Sequence, residues 1–355
     1  MITILSNPKN IDLLRNGEMI YLLTSDAIGN SDYQLKVAIR QGSTDITEAF
    51  LDAVDGVVNF NLSLFFQDLY PDPFIPATVY QWDYPKITEI PFLRLRFTDN
   101  YGGSRTVYPH AFDGRVEKHK YANFVFDYYN LTLNTQPAIK RTCWDTPEYI
   151  YFIKPEDEAY YSFILRTFYY FKDGSITSND FPFGLVPNET ICLPVALKYR
   201  GISESSDIYK YTCQIFYESE NTPKSPLFTY QINQNIKNQN VFGFLNTKFG
   251  IFESVICRGQ MTVKSDVKIN TWDYKVDEFS QSISQMGYEY EQNTGLMTTE
   301  EIKYTQQLTQ SANHLYILRE NIWVRVKLVD FSDTIIDNQK GLHSFNFRFQ
   351  YPDLL

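Results

Sequence analysis

Strict alternation of apolar and polar residues recurs along this chain. Leu35, Val37 and Ile39 alternate with Gln34, Lys36 and Ala38, and Val58, Phe60, Leu62 and Leu64 alternate with Asn59, Asn61 and Ser63. Leu93, Leu95 and Phe97 repeat the pattern against Arg94, Arg96 and Thr98. Successive strand side chains point to opposite faces, so these runs predict half-buried strands of antiparallel sheets. Asp45–Ala53 is expected to break the series as a short helix or helical turn, with Thr44 or Asp45 as its cap. Five prolines between Pro71 and Pro91 predict an extended connection or a sheet edge. Tyr101-Gly102-Gly103-Ser104 is a hairpin turn signal.

Further on, Tyr149–Ile153 reads as a strand, followed by an acidic turn, Glu156-Asp157-Glu158. The run Tyr160–Phe171 is apolar on nearly both faces, which predicts a central strand covered above and below, ending at the turn pair Asp173-Gly174. Ile208–Tyr217 is expected to place Tyr209, Tyr211, Cys213, Ile215 and Tyr217 on one face. The Asn- and Gln-rich stretch Gln231–Gln239 marks a boundary, and Met261–Val276 is compatible with a long hairpin arm. Thr298 with Glu301 three residues on is a capping-box signature, followed by an apolar stripe of Tyr304, Leu308 and Ala312. Two alternating strands close the chain: Ile322, Val324, Val326 and Leu328, then Phe345, Phe347, Phe349 and Tyr351. The expected fold is mainly β. Antiparallel β-sandwich domains of immunoglobulin-like or jelly-roll-like type are expected over 1–135 and 136–235, and an α+β domain with one helix packed on a sheet over 236–355.

Composition sharpens this picture. With 16% aromatic and 21% charged residues, the balance is that of half-buried sheets rather than disorder. A net charge of −10 argues against direct nucleic-acid binding, which draws affinity from clustered Lys and Arg. The N-terminus has no basic region leading into a long apolar core, and no segment has the apolar length of a membrane span. Synthesis and retention in a cytoplasm are therefore expected, unless the protein leaves inside an assembly. Cys143, Cys192, Cys213 and Cys257 lack the short spacings of metal or redox motifs and are expected as buried free thiols. His110, His119, His314 and His343 show no ligand spacing, and there is neither a phosphate loop nor a nucleophile elbow. Asp26, Asn30 and Asp32 around Gly29 read as an Asx-rich turn rather than a calcium loop. No catalytic residue, cofactor or metal ligand is therefore assigned. Trp82, Trp144, Trp272 and Trp323 would suit packing, a subunit interface or stacking on a sugar ring. Trp272, Tyr274 and Trp323 are taken as the candidate interaction surface.

The order of marks in the last third resembles a family of structural proteins from tailed phages and prophage-like elements of Bacteroidetes-type gut bacteria. The marks are Leu245-Asn246 with Phe249-Gly250 and Gly259; Thr294-Gly295-Leu296 with Thr299-Glu300-Glu301 and Leu308; and Ser311 before Leu315-Tyr316-Ile317. Trp323-Val324-Arg325-Val326 and Phe345-Asn346-Phe347-Arg348-Phe349-Gln350-Tyr351 complete them, and Thr142-Cys143-Trp144 before Pro147–Phe152 is similar too. Phe249-Gly250-Ile251-Phe252-Glu253 stands where the family carries Gly-Gly-Trp-Asp. The resemblance implies a non-enzymatic virion component of the tail, tail hub or baseplate, assembled in the bacterial cytoplasm. Its partners would be copies of itself and other virion proteins, with no membrane contact. A receptor- or glycan-binding module of the virion is the alternative.

Overall fold

The computed structural model describes residues 1–6, 11–13, 19–41, 44–65, 74–78, 88–90, 93–112, 131–154, 162–185, 190–204, 207–219, 221–233, 239–246, 248–275, 278–309, 314–332 and 341–352. For 11–13, 41, 44–45, 88–90, 110–112, 266–275 and 278–287 it gives the backbone alone. Glu156-Asp157-Glu158, Ala312, Trp82 and His119 lie outside the described residues. The protein is mainly β, built from several largely antiparallel sheets, with one α-helix near the C-terminus among the described residues. Its chain divides into two compact units: Met1–Ile232 with Asn246–Phe252, and Asn233–Leu245 with Glu253–Leu355.

The first unit opens with β1 (Ile2–Ser6), β2 (Ile11–Leu13), β3 (Ile20–Ser25), β4 (Leu35–Gln41), β5 (Thr44–Leu51), β6 (Val58–Asn61), β7 (Thr88–Ile90), β8 (Leu93–Asp99), β9 (Ser104–Val107) and β10 (His110–Phe112). A three-stranded sheet, β1-β3-β6, and a four-stranded sheet, β5-β4-β8-β9, share one core. Tyr21 and Phe60 of the first meet Phe97 of the second at 5.8 Å between ring centroids in each case, which is the interdigitation of a β-sandwich. The apolar members of the three alternating runs, Leu64 excepted, help to fill it together with Ile2, Met19, Tyr21 and Leu23.

Two expectations fail here. Thr44–Leu51 is an edge strand, paired along β4 from Leu35↔Leu51 to Gln41↔Thr44, and not a helical turn. Burial of Ile46, Ala49 and Leu51 against the core overrides the local cap signal. The run Val58–Leu64 ends as a strand at Asn61, and Leu62–Phe65 forms a 3₁₀ turn that buries Leu62 and exposes Leu64. The glycine turn after β8 is as expected: Asp99 Oδ1 accepts from the N–H groups of Tyr101 and Gly103 at 3.1 and 2.6 Å, with Gly102 at φ 86°. Asp99 Oδ2 also accepts from Ser25 at 2.9 Å and so ties the two sheets together. In the 26–32 loop, Asp26 accepts from the N-terminal amine, while Tyr101 and Asn100 donate to Asp32.

The rest of the unit comprises β11 (Ile139–Thr142), β12 (Tyr149–Ile153), β13 (Ser162–Phe171), β14 (Ile176–Gly184), β15 (Thr190–Pro194), β16 (Ile208–Tyr217) and β17 (Phe228–Ile232). The sheet β11-β17-β16-β13-β14 faces the sheet β12-β15-β7. Phe152 meets Phe163 edge-on at 4.9 Å across the gap. β7 is an edge strand of its sheet, and of the five prolines from Pro71 to Pro91 only Pro76 lies within the described residues.

Here the expected covered strand is a different one. β13 is central in its pairing but alternates, with Phe163, Leu165, Thr167 and Tyr169 buried and the intervening residues half-buried. β12 and β15 are the strands buried at every position. Tyr209 also departs from its expected face. A register shift opposite Tyr170 and Phe171 buries Ile208 and leaves Tyr209 exposed, while Tyr211, Cys213, Ile215 and Tyr217 stay inside. All four cysteines are buried and none is in a disulfide, and burial pushes the Cys192, Cys213 and Cys257 thiols up.

This interior also carries charge. Lys140 Nζ lies 2.6 Å from Glu148 Oε2, both side chains being almost wholly buried, and Thr142 donates to Glu148 Oε1 at 2.9 Å. The resemblance mark at Phe249-Gly250 is a turn: Asn246 accepts Phe249 N–H on its side chain at 2.7 Å and Gly250 N–H on its carbonyl at 3.0 Å, with Gly250 at φ 68°.

The second unit contains β18 (Asn240–Leu245), β19 (Phe252–Cys257), β20 (Met261–Lys275), β21 (Glu278–Asn293), β22 (Met297–Thr298), α1 (Thr299–Thr309), β23 (Leu315–Arg319), β24 (Ile322–Phe331), β25 (Leu342–His343) and β26 (Asn346–Gln350). Seven strands form one sheet in the order β19-β18-β23-β24-β26-β21-β20, and β22 pairs with β25. The sheet curls into a half-barrel. Asn240 of β18 donates to Gln292 of β21 at 2.7 Å although three strands separate them in the sheet order.

α1 is capped as expected: Glu301 N–H donates to Thr298 Oγ1 at 3.3 Å and Thr298 N–H to Glu301 Oε2 at 2.9 Å. Its Ile302, Tyr304 and Leu308 join the sheet's core. Gly259 and Gly295 are needed where backbones nearly touch. A Cβ on Gly259 would sit 2.7 Å from Asn293 O, and one on Gly295, at φ +74°, 2.9 Å from Gly259 N.

Candidate interaction surface

The seven-stranded sheet has two chemically distinct faces, and both follow from the alternation in Phe345–Tyr351. One face is aromatic. Phe242, Phe244, Phe345, Phe347 and Phe349 are buried, and Phe242 packs edge-on against Phe347 at 4.9 Å and Phe349 at 5.5 Å. Tyr290 stacks on Phe349 at 5.3 Å, and Tyr351 meets Tyr290 at 5.1 Å. Arg319 ties this face at its rim, donating to Tyr351 Oη at 3.1 Å and Asn240 Oδ1 at 2.9 Å.

The other face is ionic. Arg348 bridges Asp330 at 2.6 Å and Glu289 at 2.8 Å, and Glu291 accepts from Asn346 at 2.7 Å and Lys264 at 3.3 Å. The hydrogen bonds from Arg348 hold Asp330 below the usual carboxylate range, and those from Asn346 and Lys264 do the same for Glu291. The ladder needs the bulge between Leu328 and Asp330, which sets Asp330 opposite Arg348. Residues Asn346 and Arg348 were legible as the polar half of the last strand, but their partners come from two other strands, β21 and β24, and have no local signal.

From this sheet a ribbon extends. β20 and β21 have 15 and 16 residues and pair from Met261↔Gln292 to Lys275↔Glu278. β26 supports β21 only at Tyr290–Asn293. Beyond that point the two strands have only each other as ladder partners among the described residues, over roughly 35–40 Å at about 3.3 Å per residue. β20 is also the last strand of the sheet order. At the root of the ribbon Val263 and Tyr288 are exposed, at 52% and 48%.

Trp272 and Tyr274 lie two residues apart on the outer half of β20, where the backbone pairs Trp272 with Ser280. Trp323 lies on β24 opposite Leu318, in a hairpin turned by Glu320 and Asn321 at φ 49° and 62°. It is half-buried, whereas its neighbour Ile322 is 65% exposed although it begins the strand's alternating series. β26 and β21 stand between β24 and β20 in the sheet order, so the structure does not bring Trp323 together with the other two in one ladder. The sequence named all three residues and a long hairpin arm, but not the point at which the ribbon leaves the sheet, which depends on where β26 stops.

Among the described residues, no three His, Cys, Asp or Glu side chains are grouped to hold a metal ion. His343 accepts or donates at 3.2 Å to Thr299 beside the helix start. No described helix is long and apolar enough to cross a membrane. No protein-family model matches the chain, and no curated protein matches its sequence.

Proposed function

We propose that this chain is a non-enzymatic structural protein of a phage virion, a component of the tail, tail hub or baseplate, that assembles with copies of itself and other virion proteins through β-rich surfaces. The observation that carries the reading is the β20–β21 arm, a long ribbon supported by the sheet only at its root. An isolated two-stranded ribbon is marginally stable in water, so an arm of this length gains most from a protein surface that covers it. β20, the last strand of the sheet order, carries Lys264, Lys268 and Lys275 in its sequence, the residue type with which natural edge strands limit indiscriminate pairing. The acidic chain, rich in aromatic residues, and the order of marks shared with phage structural proteins favour the same assignment.

Light scattering coupled to size exclusion, with electron microscopy of the peak, tests it. The full chain is expected to form defined oligomers as concentration rises, and a chain with 266–287 replaced by a two-residue turn is expected to stay monomeric. A full chain that remains monomeric and binds one host glycan tightly on an array would replace this reading with that of a receptor-binding module.

A further inference from the structure

The outer face of the sheet β5-β4-β8-β9 gathers positive charge in a chain whose net charge is −10. The alternation that buries Leu35, Val37 and Ile39 of β4, and Leu93, Leu95 and Phe97 of β8, sends Lys36, Arg40, Arg94 and Arg96 to the opposite face. Register sets Arg40 directly opposite Arg94, and like charges facing each other across two strands destabilise a sheet. Arg96 stands one row further along β8, opposite Ala38 on one side and Thr106 on the other.

The carboxylates of these strands lie on the β5 side. Glu48 bridges Lys36 at 2.7 Å, and the backbone register places Asp45 opposite Arg40. On the other side of β8, β9 brings only Thr106 and Ser104 to this face. Among the described residues, neither Arg94 nor Arg96 has an ion pair or a hydrogen bond. Arg96 is exposed, and Arg94 is half-buried with its Nε closed off from solvent and unbonded. The two guanidinium groups therefore share one face without a counter-charge. Their residues are about 7 Å apart along the strand, the spacing at which any extended peptide repeats its side chains on one face.

We propose that Arg94 and Arg96, flanked by Arg40 and Lys36, form a docking surface for an extended acidic segment of a partner protein, whose alternate carboxylates meet the two arginines in turn. Each guanidinium offers paired N–H donors that fit a carboxylate, and an anion held between Arg40 and Arg94 offsets their repulsion. The extent of the patch favours a short peptide over a nucleic acid, because a longer polyanion would run past four cations onto an acidic chain. This face belongs to the first compact unit and the β20–β21 arm to the second, so either surface can fail without the other.

Fluorescence anisotropy of labelled peptides titrated with the full chain at low ionic strength tests the surface. Glu-Thr-Glu-Thr-Glu-Thr is expected to bind more tightly than Glu-Glu-Glu-Thr-Thr-Thr, which has the same charge but the wrong period. Arg94→Ala and Arg96→Ala should each weaken the alternating peptide about fivefold, and the double variant should abolish its binding. Arg105→Ala removes an exposed cation that alternation places on the other face of β9, and should leave affinity unchanged. Because Arg94→Ala also relieves Arg40 of a like charge, its Tm should not fall, which separates lost binding from lost folding. Should an alanine variant fail to fold, Arg94→Lys and Arg96→Lys, which keep the charge but not the paired donors, carry the test and should still weaken binding. No binding, equal binding of the two peptides, or variants that bind as the wild type does would overturn the surface. Tighter binding of a single-stranded DNA of equal charge, lost with the same arginines, would overturn it in favour of a nucleic-acid site.

Discussion

The middle region and the C-terminal sheet use the same ionic chemistry in opposite places. In the middle region Lys140, Glu148 and Thr142 bond inside the fold, where the pair is almost wholly buried. In the C-terminal sheet Asp330, Arg348 and Glu289 bond at similar distances on the outer face, and the inner face is left to phenylalanine and tyrosine. Burial, rather than bond length, decides what such pairs contribute. A buried charge left alone cannot regain its hydration, whereas an exposed one returns to water at little cost.

Aromatic packing should dominate the C-terminal sheet. Phe347→Ala, which removes a fully buried ring touching Phe242, Phe244, Phe345 and Phe349, is expected to lower stability by about 3–5 kcal/mol in denaturant unfolding. Trp323→Ala, at a half-buried site, should cost less. An effect at Phe347 no larger than that at Trp323 would break the assignment of the inner face as the core.

In the middle region the corresponding loss should come from charge. Glu148→Gln leaves Lys140 buried without its carboxylate and is expected to cost about 3 kcal/mol or more by the same measurement. The double change Lys140→Met, Glu148→Leu removes both charges and should recover most of that loss. Equal destabilisation by the single and double variants would show that packing, and not the stranded charge, sets the cost.

The helix cap sits between these extremes. Thr298→Ala removes the acceptor for Glu301 N–H and is expected to cost about 1 kcal/mol. Circular dichroism together with unfolding would register it, and a negligible change would mean that α1 is held by Ile302, Tyr304 and Leu308 alone.

The smallest effect belongs to the outer ladder. Asp330 and Glu291 have depressed values in the folded state, so their contribution is present above the unfolded carboxylate range and fades as pH falls through the folded values. Arg348→Ala is expected to raise the acid-unfolding midpoint slightly and to leave stability at neutral pH nearly unchanged. A large loss at neutral pH would place this face under another layer of protein in solution.

The sequence was most informative where one strand's own pattern decided the outcome. Val37 and Phe97, the Gly102 turn, the Thr298 cap and Phe345–Tyr351 all stand where alternation or local turn chemistry put them. It misled where a partner strand intervened. β5 is a strand because Ile46 and Leu51 reach a core made elsewhere, and Tyr209 faces outward because a bulge shifts its register. The buried ion pair was illegible because Lys140 and Glu148 look like loop residues until β17 and β12 enclose them. Of the candidate interaction residues, Trp272 and Tyr274 were legible as strand positions, but the ribbon's reach depends on a pairing between β21 and β26 that no local window contains.

The arm is proposed to need a protein surface that covers it, and hydrogen exchange across β20 and β21 tests that most directly. At low concentration the amides of 266–287 should exchange much faster than those of Tyr290–Asn293, which β26 supports, and they should gain protection as the protein is concentrated. Protection of 266–287 equal to that of the sheet and independent of concentration would contradict it, because the ribbon would then be stable alone.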